Sequence, residues 1–241
     1  MASLGVLSVK VFRRPEIGVL ATGSELVDVQ KKPEGCEIRN CTSYFLAAQI
    51  ERCGASNRLF GTAGDNIEEL QLRIGEALQK SDVLVLSGGV SMGSKDFVFQ
   101  VLHKMGADIK FWKVRVKPSA NVLFASLKGK TIFCLPGFTA AAYVAFEKFV
   151  RPAVLKMTGH DKLFRCKISA IAQETIRFER GVSHFLRVKL AEKDGEYFVS
   201  LAGAQVPVLY RSIVEADGVM TVAEDIEVIN AGEQVLVEIL D

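Results

Sequence analysis

The chain has 241 residues, of which 49% are hydrophobic and 24% are charged, and these proportions exclude a disordered chain. Thirty Lys and Arg against 28 Asp and Glu leave a formal net charge of +2, too small for a broad nucleic-acid-binding face. The apolar runs are far shorter than a membrane span, and the N-terminal residues lack the charge order of a signal peptide. Five cysteines without a C-x-x-C pair are typical of reduced thiols. We therefore expect a cytoplasmic protein without a nucleic-acid or membrane partner.

The first part of the chain alternates short apolar runs with helix-length amphipathic segments. Strands are expected at residues 17–22, 58–60, 82–87, 109–116, 122–125 and 131–135. Helices are expected between them, beginning at Asn40 or Thr42, at Asp65, at Asp96 and after Gly137. The continuous Val and Leu residues of 82–87 indicate a strand buried on both faces, as in a parallel sheet covered by helices. The pattern predicts a three-layer α/β domain with a mostly parallel sheet over residues 16–158.

After Gly159 the pattern changes to runs in which apolar and polar residues alternate. Strands are expected there at residues 167–172, 185–190, 197–201 and 234–240. Asp194-Gly195 predicts a hairpin turn between two of these strands. We expect a small C-terminal antiparallel β domain over residues 165–241, and we interpret residues 1–15 as the remnant of a preceding domain.

Three strands of the α/β domain end in small, glycine-containing loops, at residues 22–25, 87–93 and 135–137. In a parallel sheet, ligands bind beyond the carboxyl ends of the strands, and glycines let the backbone approach a ligand closely. Any one of these loops is equally well interpreted as an ordinary turn, but three at one rim indicate a ligand that carries phosphate. Neither G-x-G-x-x-G nor G-x-x-x-x-G-K-[ST] is present.

Four charged residues follow or end these strands, namely Glu25, Asp65, Asp96 and Lys117. Convergent carboxylates hold Mg²⁺ through oxygen ligands, and a nearby lysine offers a positive charge to an oxyanion. The two aspartates are equally well explained as helix caps, and the other two residues as solvated surface charges. The three histidines lack zinc-ligand spacing, and no G-x-S-x-G motif of a serine hydrolase is present.

Several motifs together resemble one known family, the molybdopterin molybdenumtransferases, which include the MoeA proteins and the E domain of gephyrin. In chain order they are Ala21-Thr-Gly-Ser-Glu-Leu-Val27, Ser87-Gly-Gly-Val-Ser-Met-Gly93 followed by Lys95-Asp96, Phe111-Trp-Lys-Val-Arg-Val-Lys-Pro118 and Leu135-Pro-Gly137. The region after residue 165 resembles the family's C-terminal β domain, most clearly at Arg211-Ser212 and Ala216-Asp217-Gly218. The related CinA-like nucleotide hydrolases share the first motif but are expected to carry a GGLGPT-type loop, which is absent here.

The resemblance implies an enzyme that binds adenylated molybdopterin and inserts molybdate while AMP is released with Mg²⁺. Glu25, Asp65 and Asp96 would be its acidic site residues, with the two aspartates near the cation, and Lys117 would contact the anionic ligand. The ligand-binding residues implied in the same way are Thr22, Gly23, Ser87, Gly88, Gly89, Ser91, Met92, Gly93, Pro136, Gly137, Arg211 and Ser212. The last two would reach across from the β domain toward the molybdate pocket. The resemblance also implies a homodimer.

Two loops depart from the family pattern. K-P-G-K-P is replaced by Lys117-Pro-Ser-Ala-Asn121, and L-P-G-N-P by Leu135-Pro-Gly-Phe-Thr139. Ala120 therefore stands in place of the second lysine of the family pattern. The charge-assisted contact of such a lysine is worth about 1.5–3 kcal/mol. The alternative to a transferase is a divergent, non-catalytic molybdopterin-binding or scaffold module of the same fold. Residues 1–14 resemble the tail of the family's N-terminal region, as in a fragment or a natural short form.

Overall fold

The computed structural model describes residues 1–90 and 97–240. Its strands are β1 (Glu16–Thr22), β2 (Leu26–Val27), β3 (Ile38–Arg39), β4 (Ser56–Ala63), β5 (Val83–Ser87), β6 (Asp108–Trp112), β7 (Val116–Lys117), β8 (Leu123–Leu127), β9 (Lys130–Leu135), β10 (Lys167–Ala172), β11 (Ile176–Arg177), β12 (Ser183–Lys193), β13 (Glu196–Leu201), β14 (Gly218–Val222), β15 (Val228–Ile229) and β16 (Gln234–Ile239). Its α-helices are α1 (Cys41–Arg52), α2 (Ile67–Lys80), α3 (Phe97–Lys104), α4 (Thr139–Ala145), α5 (Arg151–Met157) and α6 (Arg211–Val214). A π-helical turn at Phe146–Val150 joins α4 to α5, and a 3₁₀ turn lies at Ala2–Leu4.

A six-stranded sheet in the order β4-β1-β5-β9-β8-β6 forms the centre of the first domain. The first four of these strands are parallel, β8 is antiparallel to β9, and β6 is antiparallel to β8, so only β8 runs against the others. One face packs on α2 and α3, and the other packs on α1 and the α4–α5 helix. Because both faces are covered, β5 is buried along its whole length, as its Val and Leu residues indicate. The predicted three-layer α/β fold with a mostly parallel sheet is confirmed.

The first helix begins and ends where the sequence predicts. Asn40 caps α1 by accepting a hydrogen bond from Ser43 N at 3.1 Å, and Gly54 follows the helix with a φ of 78°. The predicted start of α2 is wrong by one residue. Asn66, not Asp65, is the cap, and its side chain accepts from Glu69 N at 2.9 Å. Asp65 is therefore not required as a cap, and its carboxylate is left at the sheet edge.

The second domain is a barrel-like, mostly antiparallel β structure, as predicted. Its sheet has the order β13-β10-β16-β14-β12-β7, and an additional pairing of β13 with β12 closes a ring of five strands. Asp194 and Gly195 form the turn between β12 and β13 with φ of 54° and 81°, which confirms the predicted hairpin. The interior of the ring is filled by small and medium-sized apolar side chains such as Val188, Val199 and Val237.

The two domains share one sheet. The short strand β7 pairs in parallel with β12, so that Lys117 lies opposite His184 in the ladder of the second domain. Two partly or fully buried ion pairs add to this junction, Lys148 with Glu238 at 2.7 Å and Arg165 with Glu147 at 3.0 Å. The junction therefore fixes Lys117 relative to the β domain. In the described ranges, no helix combines the length and the apolar character that crossing a bilayer requires.

Candidate functional site

The carboxyl ends of the parallel strands meet at one edge of the sheet, which we call the rim. Ala21 pairs with Ser87, and Ser87 pairs with Leu135, so the loops after β1, β5 and β9 are neighbours. Gly88 N donates a hydrogen bond to Leu135 O at 3.0 Å. The described parts of the three predicted glycine-containing loops therefore lie side by side at the rim.

The backbone of the rim is packed too tightly for side chains. A Cβ atom on Gly88 would lie 2.4 Å from Thr22 O, and one on Gly89 would lie 2.6 Å from Thr22 Oγ1. Both glycines have positive φ, 93° and 67°. A Cβ on Gly137 would lie 3.4 Å from the Cα of Gly88. Glycine at these positions keeps the strand ends in backbone contact and leaves peptide groups exposed to a ligand.

The Thr22 hydroxyl is a polar group without a partner at the rim. The residue is 3% exposed, and its Oγ1 has no hydrogen-bond partner among the described residues. A buried hydroxyl that lacks a hydrogen bond costs about 1–3 kcal/mol. The rim therefore holds a donor and acceptor that a ligand atom or a water molecule would satisfy.

Of the predicted acidic residues, Glu25 lies on the rim loop after β1 and Asp65 lies on the neighbouring loop after β4. Asp65 accepts a long hydrogen bond from Ser24 N at 3.4 Å, and Asp65 N donates to Ser24 Oγ at 3.0 Å. The Glu25 carboxylate folds over Gly23, with Oε2 2.6 Å from the position of a Cβ on that glycine. Both carboxylates are exposed. Asp96, together with Ser91, Met92 and Gly93, lies outside the described residues.

These carboxylates fit the donor chemistry of Mg²⁺. The ion prefers oxygen ligands, and in many sites it takes one or two carboxylates together with water and substrate phosphate oxygens. Within residues 1–90 and 97–240, no group of three or more His, Cys, Asp or Glu side chains is arranged to hold a metal ion. Glu25 and Asp65 offer carboxylate oxygens of this kind on adjacent loops.

Hydroxyl groups from α1 and α4 hold the third loop of the rim. Thr42 Oγ1 donates to Gly137 O at 3.1 Å and lies 2.9 Å from Thr139 Oγ1. Cys41 Sγ is 3.6 Å from the same Thr139 hydroxyl. The first turn of α1 thus fixes the loop Pro136-Gly137 against the neighbouring strand ends.

The start of α4 connects the rim to the β domain. Ser119 Oγ donates to Ala141 O at 2.6 Å, and Ala140 N donates to Pro207 O at 3.2 Å. The segment that follows Lys117 and the segment that precedes Arg211 therefore both contact the helix that begins directly after the rim. Helix α4 therefore links the rim to these two segments.

A buried arginine lies in the β-domain part of this region. Arg187 is 0% exposed, and its Nε donates to Ser212 Oγ at 3.0 Å. Its Nη1 and Nη2 atoms have no hydrogen-bond partner in the part of the chain that the structure describes. Burial lowers the pKa of the Arg187 guanidinium, because the charged form has lost its water. The group stays protonated at neutral pH, so it is a buried positive charge that has no counter-ion among residues 1–90 and 97–240.

Ser212 and Arg211 line an open cleft of about 320 Å³ next to this arginine. Arg211 is exposed and forms an ion pair with Glu215, which holds the pKa of that carboxyl below its usual range. Lys117 is likewise exposed, and its ion pair with Glu179 lowers the pKa of the Glu179 carboxyl. The two cations selected from the sequence thus bind carboxylates at the surface, whereas the unselected Arg187 is buried.

Sequence reasoning missed Arg187 because the residue lies within a run that was interpreted only as a strand. One signal was present: a long cationic side chain between Leu186 and Val188, in a strand expected to be half buried. Charged residues are almost never fully buried without a partner. An arginine in such a place therefore indicates a bound anion or a specific pairing, but the sequence cannot distinguish this from an arginine on the solvent face.

Comparisons with known proteins agree with this geometry. A family model described as "Probable molybdopterin binding domain" matches residues 18–156, and one described as "MoeA C-terminal region (domain IV)" matches residues 169–240. A molybdopterin molybdenumtransferase of Staphylococcus aureus is 33% identical over 189 residues, which are 78% of this chain and 45% of that protein. The protein of the same name from Haemophilus influenzae is 30% identical over 240 residues, 99% of this chain and 59% of that protein.

A solved structure extends the similarity to three dimensions. The crystal structure of a molybdopterin biosynthesis MoeA protein from Pyrococcus horikosii has a TM-score of 0.83 and 27% identity, covering 99% of this chain and 57% of that chain. The chain spans about half the length of the curated relatives it matches. Because the molybdopterin-binding model alone covers more than half of the sequence and the MoeA model covers most of the rest, the chain belongs to the MoeA-like family of molybdopterin-binding proteins.

Proposed function

We propose that the chain acts in molybdenum cofactor biosynthesis by binding adenylated molybdopterin and inserting molybdate, with Mg²⁺-dependent release of AMP. The observation that carries the proposal is the guanidinium of Arg187, which is buried beside the open Ser212 cleft and has no counter-ion in the described part of the chain. A positive charge in such a place is stabilised by a small anion that enters the cleft. Molybdate is a tetrahedral dianion, and it matches the planar donors of an arginine.

The rim would bind the phosphate-bearing end of the pterin. Gly88 and Gly89 expose backbone at the end of β5, and the Thr22 hydroxyl lies beside them without a partner among the described residues. Such uncharged donors bind phosphate oxygens without requiring a lysine. The predicted loop residues Ser91, Met92 and Gly93 would complete this part of the site.

Mg²⁺, when bound, would neutralise part of the phosphate charge during cleavage of the adenylate. Asp65 and Asp96 would hold it, with Glu25 nearby on the neighbouring loop. Within the chain itself, Ser24 orients Asp65 through the pair of hydrogen bonds between the two residues. Lys117 and Arg211 would exchange their present carboxylate partners for ligand oxygens, which requires only rotation of exposed side chains.

The proposal includes a homodimer, as the resemblance implies. The N-terminal segment exposes several apolar side chains, among them Leu4, Leu7 and Val11. Sedimentation at micromolar concentration tests this part of the proposal, and a monomer at all concentrations would contradict it.

A non-catalytic molybdopterin-binding or scaffold module is the second candidate. Ala120 stands where the family carries a lysine, and Phe138 is 58% exposed at the position of the family's asparagine, directly before α4. Both changes lie in loops that contact the start of α4, close to the link between the rim and the β domain. They favour a protein that retains the ligand but has lost turnover.

The test uses the purified protein under anaerobic conditions with adenylated molybdopterin, and it measures AMP released as molybdate is added. We expect molybdate-dependent release in the original protein and at least a hundredfold slower release in Arg187→Met. Arg180→Met is the matched control, because Arg180 is an exposed arginine of the same domain that pairs with Glu227. Binding without any release supports the second candidate, and release that is insensitive to molybdate contradicts the first.

A further inference from the structure

The strand that carries Arg187 loses its neighbour close to this residue. Strand β13 pairs with β12 up to Leu201, which lies opposite Val188, and Ala202 N then donates to Arg187 O at 2.9 Å. The chain turns away at Gly203, which has a φ of 72°. The backbone N–H of Arg187 is therefore not bound by β13, although the residue is 0% exposed. Because a buried N–H group without a hydrogen bond is costly, another group has to accept from it.

The side-chain amide of Gln205 takes the place of the missing strand. Its Oε1 accepts a hydrogen bond from Arg187 N at 2.9 Å, and its Nε2 donates to Arg187 O, also at 2.9 Å. The same Nε2 donates to Gly203 O at 3.0 Å. A primary amide has one acceptor oxygen and two N–H donors, so all three groups are used here. Gln205 therefore binds both backbone groups of Arg187 as the peptide groups of a neighbouring strand would.

Gln205 lies in the segment that forms the walls of the Ser212 cleft. Residues 203–210 belong to neither a helix nor a strand, and all of them are exposed except Gln205, which is half-buried. The hydrogen bonds of its amide tie this segment to β12. The residues that line the cleft lie on both sides of Gln205 in the chain, namely Ala202, Gly203, Ala204, Leu209, Arg211, Ser212 and Glu215.

Ser212 attaches the same segment to the arginine side chain. Its Oγ accepts from Arg187 Nε at 3.0 Å and donates to Leu209 O at 3.0 Å. Arg187 is thus held at two points, its backbone by Gln205 and its Nε by Ser212. Nη1 and Nη2 have no partner in the described part of the chain. A guanidinium that is fixed in this way presents two donors to an anion and loses little side-chain entropy when the anion binds.

We propose that Gln205 is a positioning residue of the oxyanion site, by which we mean the Arg187 guanidinium and the Ser212 cleft. It fixes the backbone of Arg187 to the segment that lines the cleft, and so it sets the positions of Nη1 and Nη2 relative to the cleft walls. The inference rests on the proposed function, in which the anion is molybdate. Its consequence is specificity. A fixed pair of donors distinguishes molybdate from sulfate, a smaller tetrahedral dianion, whereas a mobile guanidinium attracts both through charge alone.

The first measurement needs no ligand. The Nε–H group of Arg187 is buried and hydrogen-bonded, so its NMR signal in ¹⁵N-labelled protein should exchange slowly with water, and its absence from Arg187→Met identifies it. Gln205→Met has a side chain of similar length without the amide, and it should accelerate this exchange at least tenfold. Gln234→Met is the matched control, because Gln234 is an exposed glutamine of the same domain, and it should leave the exchange unchanged. Equal exchange rates in the original protein and Gln205→Met would overturn the inference.

The second measurement is a calorimetric titration with molybdate and with sulfate, at a temperature at which every variant is folded. Gln205→Met should weaken molybdate binding about tenfold and sulfate binding much less, because the charge remains while its position is no longer fixed. A purely structural role of Gln205 would lower the melting temperature and leave the ratio of the two affinities unchanged. A ratio that is the same in Gln205→Met and in the original protein would therefore contradict the inference.

Gln205→Asn replaces Gln205→Met if that variant does not fold. It keeps an amide that is one methylene too short to reach both backbone groups of Arg187, so it should show the same two changes to a smaller extent. The two measurements also separate the inference from the proposed function. If exchange is accelerated but the original protein binds neither anion, Gln205 positions Arg187 and the molybdate function fails. If molybdate binds and neither the exchange nor the ratio changes, the function stands and the role of Gln205 is wrong.

Discussion

In the proposed function, the rim of the α/β domain and the Arg187 pocket of the β domain, by which we mean the buried Arg187 beside the Ser212 cleft, would bind negative charge by two different physical means. The rim uses backbone groups, a threonine hydroxyl and glycines, and its only side-chain charges in the described part are the carboxylates of Glu25 and Asp65. The pocket uses a full positive charge that has been removed from water. Binding at the rim would therefore depend on shape, whereas binding at the Arg187 pocket would depend on a buried charge that has no partner among the described residues.

The largest expected loss of stability comes from adding a side chain to the tightly packed backbone of the rim. Gly88→Ala would place a Cβ 2.4 Å from Thr22 O at a φ of 93°, and we expect it to cost about 3 kcal/mol or more of unfolding free energy. Gly232→Ala is the matched control, since its φ is 89° and nothing lies within 4 Å of the added atom. It should cost only the backbone strain, roughly 1–2 kcal/mol. Urea denaturation measures both, and equal losses would show that the rim is not tightly packed.

The second prediction compares the removal of a buried arginine with the removal of an exposed one. Arg187→Met removes a buried charge that no described residue compensates, so the melting temperature without ligand should stay the same or rise. Molybdate should raise the melting temperature of the original protein and not that of this variant; at a hundred times Kd the stabilisation is about 2.7 kcal/mol. Arg211→Met should keep most of the molybdate response, because Arg211 is exposed and paired with Glu215. If molybdate still raises the melting temperature of Arg187→Met, the anion binds elsewhere in the protein.

A smaller effect tests the link between α1 and the rim. Thr42→Val keeps the shape of the side chain but removes the hydrogen bonds to Gly137 O and Thr139 Oγ1, and it should cost about 1–2 kcal/mol. Thr158→Val serves as the control, because its hydroxyl binds carbonyls of its own helix end. Thermal unfolding compares the two variants. If Thr158→Val proves the more destabilising, α1 does not hold the loop in place.

The smallest effect is the pH dependence of a contact far from both regions. The Arg13 guanidinium and the Glu16 N–H hold the pKa of the Asp82 carboxyl below its usual range. A lowered pKa in the folded state gives stability that is fully present above the unfolded pKa and is lost as the pH falls through the folded value. Stability should therefore decrease below about pH 4, and Asp82→Asn should reduce this slope. The change is small because the Arg13 side chain is 72% exposed. An unchanged slope in denaturation between pH 2 and 5 would contradict it.

The sequence determined the parallel strands and main helices of the first domain and the hairpin at Asp194-Gly195, but the strand expected at 109–116 is two strands, β6 and β7, that belong to different sheets, and β14 was not predicted. The predicted features follow from local patterns, since periodicity, capping residues and glycines act over a few neighbouring residues, and parallel strands bring their ends together. The cap of α2 already required the structure, because Asp65 and Asn66 are both good caps and the backbone at Asn66 decided between them.

Only the tertiary structure decided how charge is distributed in the site. Whether Arg187 is solvated or isolated depends on residues distant in the chain, such as Ser212 and Gln205, that pack around it. The same holds for the Ser43 hydroxyl, whose lack of a partner is a property of its whole surroundings. The residue type fixes which hydrogen bonds and ion pairs a side chain is able to form. Burial and the positions of distant segments decide which of these the folded protein contains.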